Sequence, residues 1–101
     1  MKVFEAEAIN AANRKLFIYV QKRFPSFYET TSNRDLKIFI EKVRNTAKKY
    51  DVINENDVSL SLDFSIMYGE NFWEQAWSSD VTSLNVLSGS DKMEILRQRV
   101  K

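Results

Sequence analysis

The sequence predicts an all-α fold, a single helical domain over residues 1–101 with about five helices and a central buried one. Two glycines and one proline are too few for the many tight turns of an all-β fold. Apolar residues recur at helical spacing through most of the chain, and the apolar fraction of 44% is that of an ordinary globular protein. We therefore expect a small helical bundle built around residues 54–69.

Residues 54–69, NENDVSLSLDFSIMYG, fit two structures. Apolar and polar residues alternate from Val58 to Ile66, which is typical of a half-buried strand that could complete a partner's sheet. At helical pitch the apolar residues instead form two stripes on opposite sides, as in a helix enclosed by its neighbours. Asn54 is a suitable N-cap, and Gly69 lies where a left-handed C-terminal cap belongs. Because no other segment alternates, a strand here would lack a partner, and the helix is favoured.

Two helices are predicted before the central one. Apolar residues at helical spacing indicate a first helix over residues 3–24, with Phe4 inward, and Pro25 ends it. Residues 25–31, PSFYETT, are predicted to be a loop. A clean amphipathic helix follows as far as residue 50, capped by Ser32 or Asn33.

The segments after Gly69 are predicted to be helical and rich in aromatic residues. A short helix over residues 70–77 would place Trp73 and Trp77, four residues apart, on one face. The last helix begins at Ser88 or Ser90. The side chains of this helix that are expected to face the core are Met93, Leu96 and Val100. Its basic end is expected to fray, and comprises Arg97, Arg99 and Lys101.

Charge is unevenly distributed along the chain. Residues 1–50 hold 11 basic and 5 acidic side chains, whereas residues 51–101 hold 4 basic and 9 acidic ones. One interpretation is that the two halves pack with complementary faces. The other is a surface with one acidic and one basic pole, which would steer a charged partner. No nucleic-acid interface is expected, because the chain has a net charge of only +1 and no recognised motif.

The residues that most often carry catalysis are missing from the sequence. There is no His and no Cys, which removes the commonest general base, the thiol nucleophile and most zinc ligands. Glu70 and Glu74 lie one helical turn apart, but surface carboxylates at this spacing are common. We therefore expect no enzymatic activity, no metal and no cofactor.

Neither a membrane span nor a signal peptide is expected from the sequence. No run of eighteen apolar residues occurs, and the first fifteen residues carry acids without an apolar core. A cytoplasmic location is the expectation that follows.

Surplus apolar and aromatic residues provide the candidate partner contacts. The run LFIYV, residues 16–20, makes the first helix apolar beyond one stripe. Those side chains either pack inside the fold or face a partner, which could be a second copy of the chain. The candidate contacts are Phe17, Ile18, Phe27, Tyr28, Trp73 and Trp77.

A scattered pattern across the chain resembles a known family. Its residues are Tyr50, Ile53, Glu55, Asp57, Val58, Leu62, Gly69, Phe72 and Trp77, with Arg23-Phe24-Pro25 before them and Leu87-Ser88-Gly89 and Lys92-Met93 after them. This pattern resembles small helical proteins encoded beside bacterial type VI secretion spikes and effectors. Asp51 departs from it, because the family more often has Gly there.

The resemblance implies a protein-binding role. Proteins in such genomic positions are expected to be chaperones, adaptors or co-effectors for a secreted effector or spike component. The alternative is a cytoplasmic immunity protein that neutralises a cognate toxin by direct binding, and the acidic segment 51–80 would suit a basic toxin cleft. The family offers no catalytic residues to carry over.

Overall fold

The all-α prediction is confirmed by the structure, a computed structural model that describes residues 2–100 and, from residue 7 onward, their side chains. No strand occurs among residues 2–100, and the central segment is a helix. The elements are α1 (Lys2–Arg23), α2 (Pro25–Thr30), α3 (Asn33–Lys49), α4 (Glu55–Tyr68), a 3₁₀ turn (Phe72–Glu74), α5 (Ser79–Thr82) and α6 (Gly89–Arg99). The expected inward position of Phe4 and the terminal Lys101 lie outside the described residues.

The chain divides into two compact units. The first unit, residues 1–42, contains α1, α2 and the first part of α3. The second unit, residues 43–101, contains the end of α3 and all later elements. The boundary falls inside α3, so the backbone passes from one unit to the other as continuous helix.

The loop predicted for residues 25–31 is wrong, because residues 25–30 form α2. The helical conformation is interrupted at a single residue, Phe24, which precedes Pro25 and has φ −128° and ψ 64°. Proline is well suited to begin a helix, since its fixed φ is helical and its missing N–H would have no partner there. The Thr30 hydroxyl donates to the Ser26 carbonyl at 3.0 Å in the last turn.

The predicted cap of the second helix is confirmed at Ser32. Its hydroxyl accepts a hydrogen bond from the backbone N–H of Asp35 at 3.1 Å, which satisfies one of the unpaired donors of the first turn. The helix buries Leu36, Ile40, Val43 and Ala47 as a single stripe at spacings of three and four residues.

Two buried serines explain why the sequence of α4 alternates like a strand and yet forms a helix. Ser61 and Ser65 are buried on the same face as Val58 and Leu62, so the inner face contains polar residues. Each serine hydroxyl donates to a carbonyl of its own helix, at 2.7 Å for Ser61 and 2.8 Å for Ser65. A serine bonded in this way can be buried without an outside partner. The inner face therefore combines two small serines with Val58 and Leu62, and Phe64 is buried as well.

Both ends of α4 are marked by the residues that the sequence indicated. The Asn54 side chain accepts from the Asn56 N–H at 2.9 Å. Gly69 ends the helix at φ 103° and ψ 157°, a region that is essentially restricted to glycine. The predicted left-handed helical cap is wrong in its ψ, and the chain passes from Gly69 into a turn in which the Phe72 N–H donates to the Gly69 carbonyl at 3.1 Å.

The short helix predicted for residues 70–77 is also wrong. Only Phe72–Glu74 form a 3₁₀ turn, and Gln75 is extended. Trp73 and Trp77 therefore do not share a helical face. Backbone carbonyls on this stretch are satisfied by side chains, because the Ser78 hydroxyl donates to Phe72 and the Thr82 hydroxyl donates to Trp73.

The last helix begins with the cap at Ser88, whose hydroxyl accepts from the Asp91 N–H at 3.1 Å. Met93 and Leu96 are buried, as predicted. At the basic end, where fraying is expected, Arg99 donates to both carboxylate oxygens of Asp80 and to the Trp77 carbonyl.

The turn between α3 and α4 contains one left-handed residue and lies in close contact with the start of α6. Asp51 has a φ of 64°, the left-handed conformation that glycine adopts most easily. A Cβ on Gly89 would lie 1.9 Å from the Asp51 carbonyl oxygen, so the start of α6 lies directly against this turn.

None of the described helices is both long enough and apolar enough to cross a bilayer.

Candidate functional site

An open groove lies between α1 and α3 in the first unit. Its volume is about 510 Å³, within the range of ligand and peptide pockets. The lining residues are Asn10, Asn13, Arg14, Phe17 and Ile18 from α1 and Lys37, Ile40 and Glu41 from α3. On each helix they recur at spacings of three and four, so each helix contributes one continuous stripe.

The floor of the groove is apolar and its edges are polar. Ile18 and the half-buried Phe17 provide the exposed apolar surface, the buried Ile40 lies against the groove, and charged side chains from both helices lie beside them. Ile18 lies in the C-terminal third of α1 and is 49% exposed. Ile9 and Ile38 are also exposed on the same two helices. Neither of them lines the groove, and at 3.6 residues per turn Ile9 lies on the opposite side of α1 from Ile18, so the exposed apolar surface of the groove comes from Ile18 and Phe17.

Aromatic contacts behind the groove fix the position of Phe17. Its ring meets the edge of Tyr28 with the centroids 5.8 Å apart and the planes at 89°. Phe27 packs against Phe39 at 5.3 Å. Both residues of α2 are half-buried, so this helix supports the groove from one side through its aromatic side chains.

The two tryptophans named as candidate contacts lie in the second unit. Trp73 is only 2% exposed, and its ring stacks on Tyr50 with the centroids 4.5 Å apart and the planes at 3°. Trp77 is half-buried against Phe64 and Phe72, and its indole N–H donates to the Gln75 amide oxygen at 2.8 Å. A partner would find little of the Trp73 ring on the surface.

A shallow depression of about 230 Å³ lies beside Tyr50 in the second unit. Glu70 and Glu74, which the sequence raised as a carboxylate pair, both line it, together with Thr46, Asn71 and Trp73. Partial burial raises the pKa of the Tyr50 hydroxyl, and the negative charge of Glu74 raises it further.

No group of three or more potential metal ligands was found among the described residues. Several acids of segment 51–80 already have partners. Arg44 holds the Glu55 carboxylate with two hydrogen bonds, Ser90 donates to Asp57 at 2.6 Å, and Arg99 binds Asp80. The acidic segment therefore presents less uncompensated charge than its sequence indicates.

The candidate residues from the sequence are thus divided between two places. Phe17 and Ile18 line the groove, and Phe27 and Tyr28 lie behind it in the same unit. The sequence did not predict the wall that α3 contributes, although its residues Lys37, Ile40 and Glu41 have i, i+3, i+4 spacing. That spacing was available as a signal, but it does not show which face of α3 stays open.

The chain matches no protein-family model, and no curated protein or solved structure resembles it at significant similarity.

Proposed function

We propose that the chain is a non-catalytic protein-binding module whose contact surface is the groove between α1 and α3. The observation that carries this proposal is the exposed apolar floor, with Ile18 about half exposed between two helices. A side chain of this size gains free energy when a partner removes it from water, about 25 cal/mol per Å² of apolar surface. The aromatic contacts of Phe17 would hold the surface ready for binding.

The type VI resemblance supplies the proposed class of partner. An adaptor, chaperone or co-effector would hold a secreted effector or spike component through this groove and leave its chemistry intact. Such a role needs a surface and no reactive side chains, which agrees with the absence of His and Cys from the sequence.

Photo-crosslinking in the native host tests this function. A photoreactive amino acid at position 18 should capture one defined protein, and the same amino acid at Ile53 should not. Ile53 is the matched control, because it is 69% exposed and lies outside the groove, in the second unit. The captured protein, once purified, should bind the wild type and the Ile53→Glu variant equally, and Ile18→Glu at least tenfold more weakly. Equal binding by all three would refute a role for the groove.

A second candidate function is neutralisation of a toxin. It is favoured by Glu70 and Glu74, which are exposed at the rim of the depression beside Tyr50 and could meet a basic active-site cleft. Toxin activity in the purified complex distinguishes the two functions. Retained activity supports the adaptor, whereas abolished activity that returns with Glu70→Lys and Glu74→Lys supports the immunity protein.

A further inference from the structure

We infer that the groove binds one amphipathic α-helix of the partner, about two turns long, with acidic residues beside its apolar stripe. This inference rests on the proposed function and specifies the partner segment. It follows from the dimensions of the groove, from the absence of a sheet edge among residues 2–100 and from the charges along the rim.

The length of the groove sets the length of the bound segment. The lining residues of α1 run from Asn10 to Ile18, which corresponds to about 12 Å at 1.5 Å per residue. A bound helix would cover this distance in about two turns, and it would insert apolar side chains at positions i, i+3 or i+4, and i+7. Ridges of side chains on α1 and α3 are the surfaces against which a third helix packs.

A helix fits this groove better than an extended segment. Residues 2–100 contain no strand, so the described chain has no sheet edge to pair with a partner strand. An extended segment on an apolar floor would leave its own N–H and C=O groups without hydrogen bonds, which is costly. A helix satisfies these groups internally and presents only side chains.

The charges on the rim favour an acidic partner. Arg14 lies on one wall and Lys37 on the other, and no described side chain forms an ion pair or hydrogen bond with either. Glu41 is the one acid among the lining residues. A partner helix with an excess of carboxylates would pair with both cations, and a basic one would be repelled.

A second copy of the chain fits the groove less well. Symmetric dimers place the same patch against itself, so four cations and two acids from the two rims would meet. At least two cations would then be desolvated without a carboxylate from either rim, which opposes association.

Selection from a displayed library of random 14-residue peptides tests this inference without knowledge of the partner. The wild-type protein is the bait, and Ile18→Glu is used to discard peptides that bind elsewhere. We expect the enriched peptides to have apolar residues at helical spacing and a net negative charge. In the double variant Arg14→Glu/Lys37→Glu the enriched peptides should instead be net positive. The control double variant Lys22→Glu/Lys42→Glu reverses two exposed cations on the same helices outside the groove, and it should keep the acidic preference.

Each result decides the inference. Enriched peptides with alternating or proline-rich patterns, an absence of charge preference, or no enrichment that depends on Ile18 would each overturn it. If these results came with crosslinking of a protein at position 18, the proposed function would stand and only the acidic helix would be wrong. A wild-type protein that elutes as a dimer, and becomes monomeric with Ile18→Glu, would identify a second copy as the occupant and also overturn the inference.

Discussion

Gly89 is the residue with the least freedom to change. A Cβ there would lie 1.9 Å from the Asp51 carbonyl oxygen and 2.8 Å from the Val52 Cα, and both of these are backbone atoms that cannot rotate away. We expect Gly89→Ala to reduce the free energy of unfolding by about 1–3 kcal/mol or more, because the start of α6 must move. Urea denaturation at neutral pH measures this loss.

Gln98→Ala is the control for that substitution, since Gln98 is an exposed residue of the same helix. It should change the free energy of unfolding by less than about 0.5 kcal/mol. If Gly89→Ala were equally mild, the close approach of α6 to the Asp51 turn would be wrong.

Trp73 and Ile18 represent the two roles that a large apolar side chain can have. Trp73 is almost fully buried and stacks on Tyr50, whereas Ile18 is half exposed on the groove floor. We expect Trp73→Ala to cost about 3–5 kcal/mol of stability, as for other truncated core aromatics. Ile18→Ala should leave stability nearly unchanged and weaken binding of the partner. Thermal melting and a binding titration on both variants separate the roles, and a wild-type melting temperature for Trp73→Ala would contradict its place in the core.

At the scale of elements, one ion pair joins the end of α6 to α5. The Arg99 guanidinium donates to both Asp80 oxygens, at 2.7 and 2.9 Å, and these hydrogen bonds lower the pKa of the Asp80 carboxyl. A lowered pKa means that the folded state favours the carboxylate. The stabilisation is therefore fully present above the unfolded pKa of about 3.9, and it is lost as the pH falls through the folded pKa.

Asp80→Asn should accordingly be less stable than the wild type at neutral pH, and the difference should disappear in acid. Urea unfolding at several pH values between about 6 and 2.5 measures this convergence. The effect should be small, because the pair is exposed to solvent. In an Arg99→Gln background the pH-dependent effect of Asp80→Asn should be smaller, and the part that remains comes from the backbone N–H groups of Asp80 and Val81, which also lower the pKa of this carboxyl. A difference between wild type and Asp80→Asn that persisted in acid would show that the carboxylate acts through something other than its charge.

Helix α2 is expected to be the least protected of the helices with six or more residues. It has six residues, and none of them is buried, whereas α4 buries five of its fourteen. Local opening needs little free energy where few apolar contacts are broken. Hydrogen exchange followed by mass spectrometry should therefore show the amides of α2 exchanging fastest and those of α4 only on global unfolding. Equal protection of the two helices would contradict this prediction.

At the scale of the whole molecule, the distribution of charge governs association. Residues 1–42 carry eight basic and five acidic side chains, so the unit with the groove is net positive. Association with an acidic peptide selected on the groove should slow several-fold between about 0.05 and 0.5 M salt, with a smaller change in the dissociation rate. Stopped-flow fluorescence measures both rates. An association rate that is independent of salt would contradict electrostatic attraction by this unit.

Much of the fold was predictable because it depends on local rules. The periodicity of α3, the caps at Ser32, Asn54 and Ser88, and the end of α4 at Gly69 are each fixed by residues within one turn of each other. The predicted elements that were wrong lie where the local sequence is compatible with two structures. Pro25 can end one helix and also begin the next, and only the second possibility explains α2.

The site was predictable only in part. The excess of apolar residues in LFIYV left two outcomes open, packing inside the fold or contact with a partner, and the structure leaves Ile18 half exposed. The opposite wall could not be found, because amphipathic α3 has an ordinary sequence and nothing in it shows that Lys37 and Glu41 border an open space.

The sequence by itself determined the helical class, most helix ends and the lack of His and Cys chemistry, because these follow from composition and from neighbours along the chain. Tertiary structure alone decided which apolar residues are buried. It placed Trp73 inside and left Ile18 exposed, and it let Ser61 and Ser65 enter the core. The physical reason is that burial depends on what lies opposite a side chain in space, and a residue's type specifies only what burial would cost.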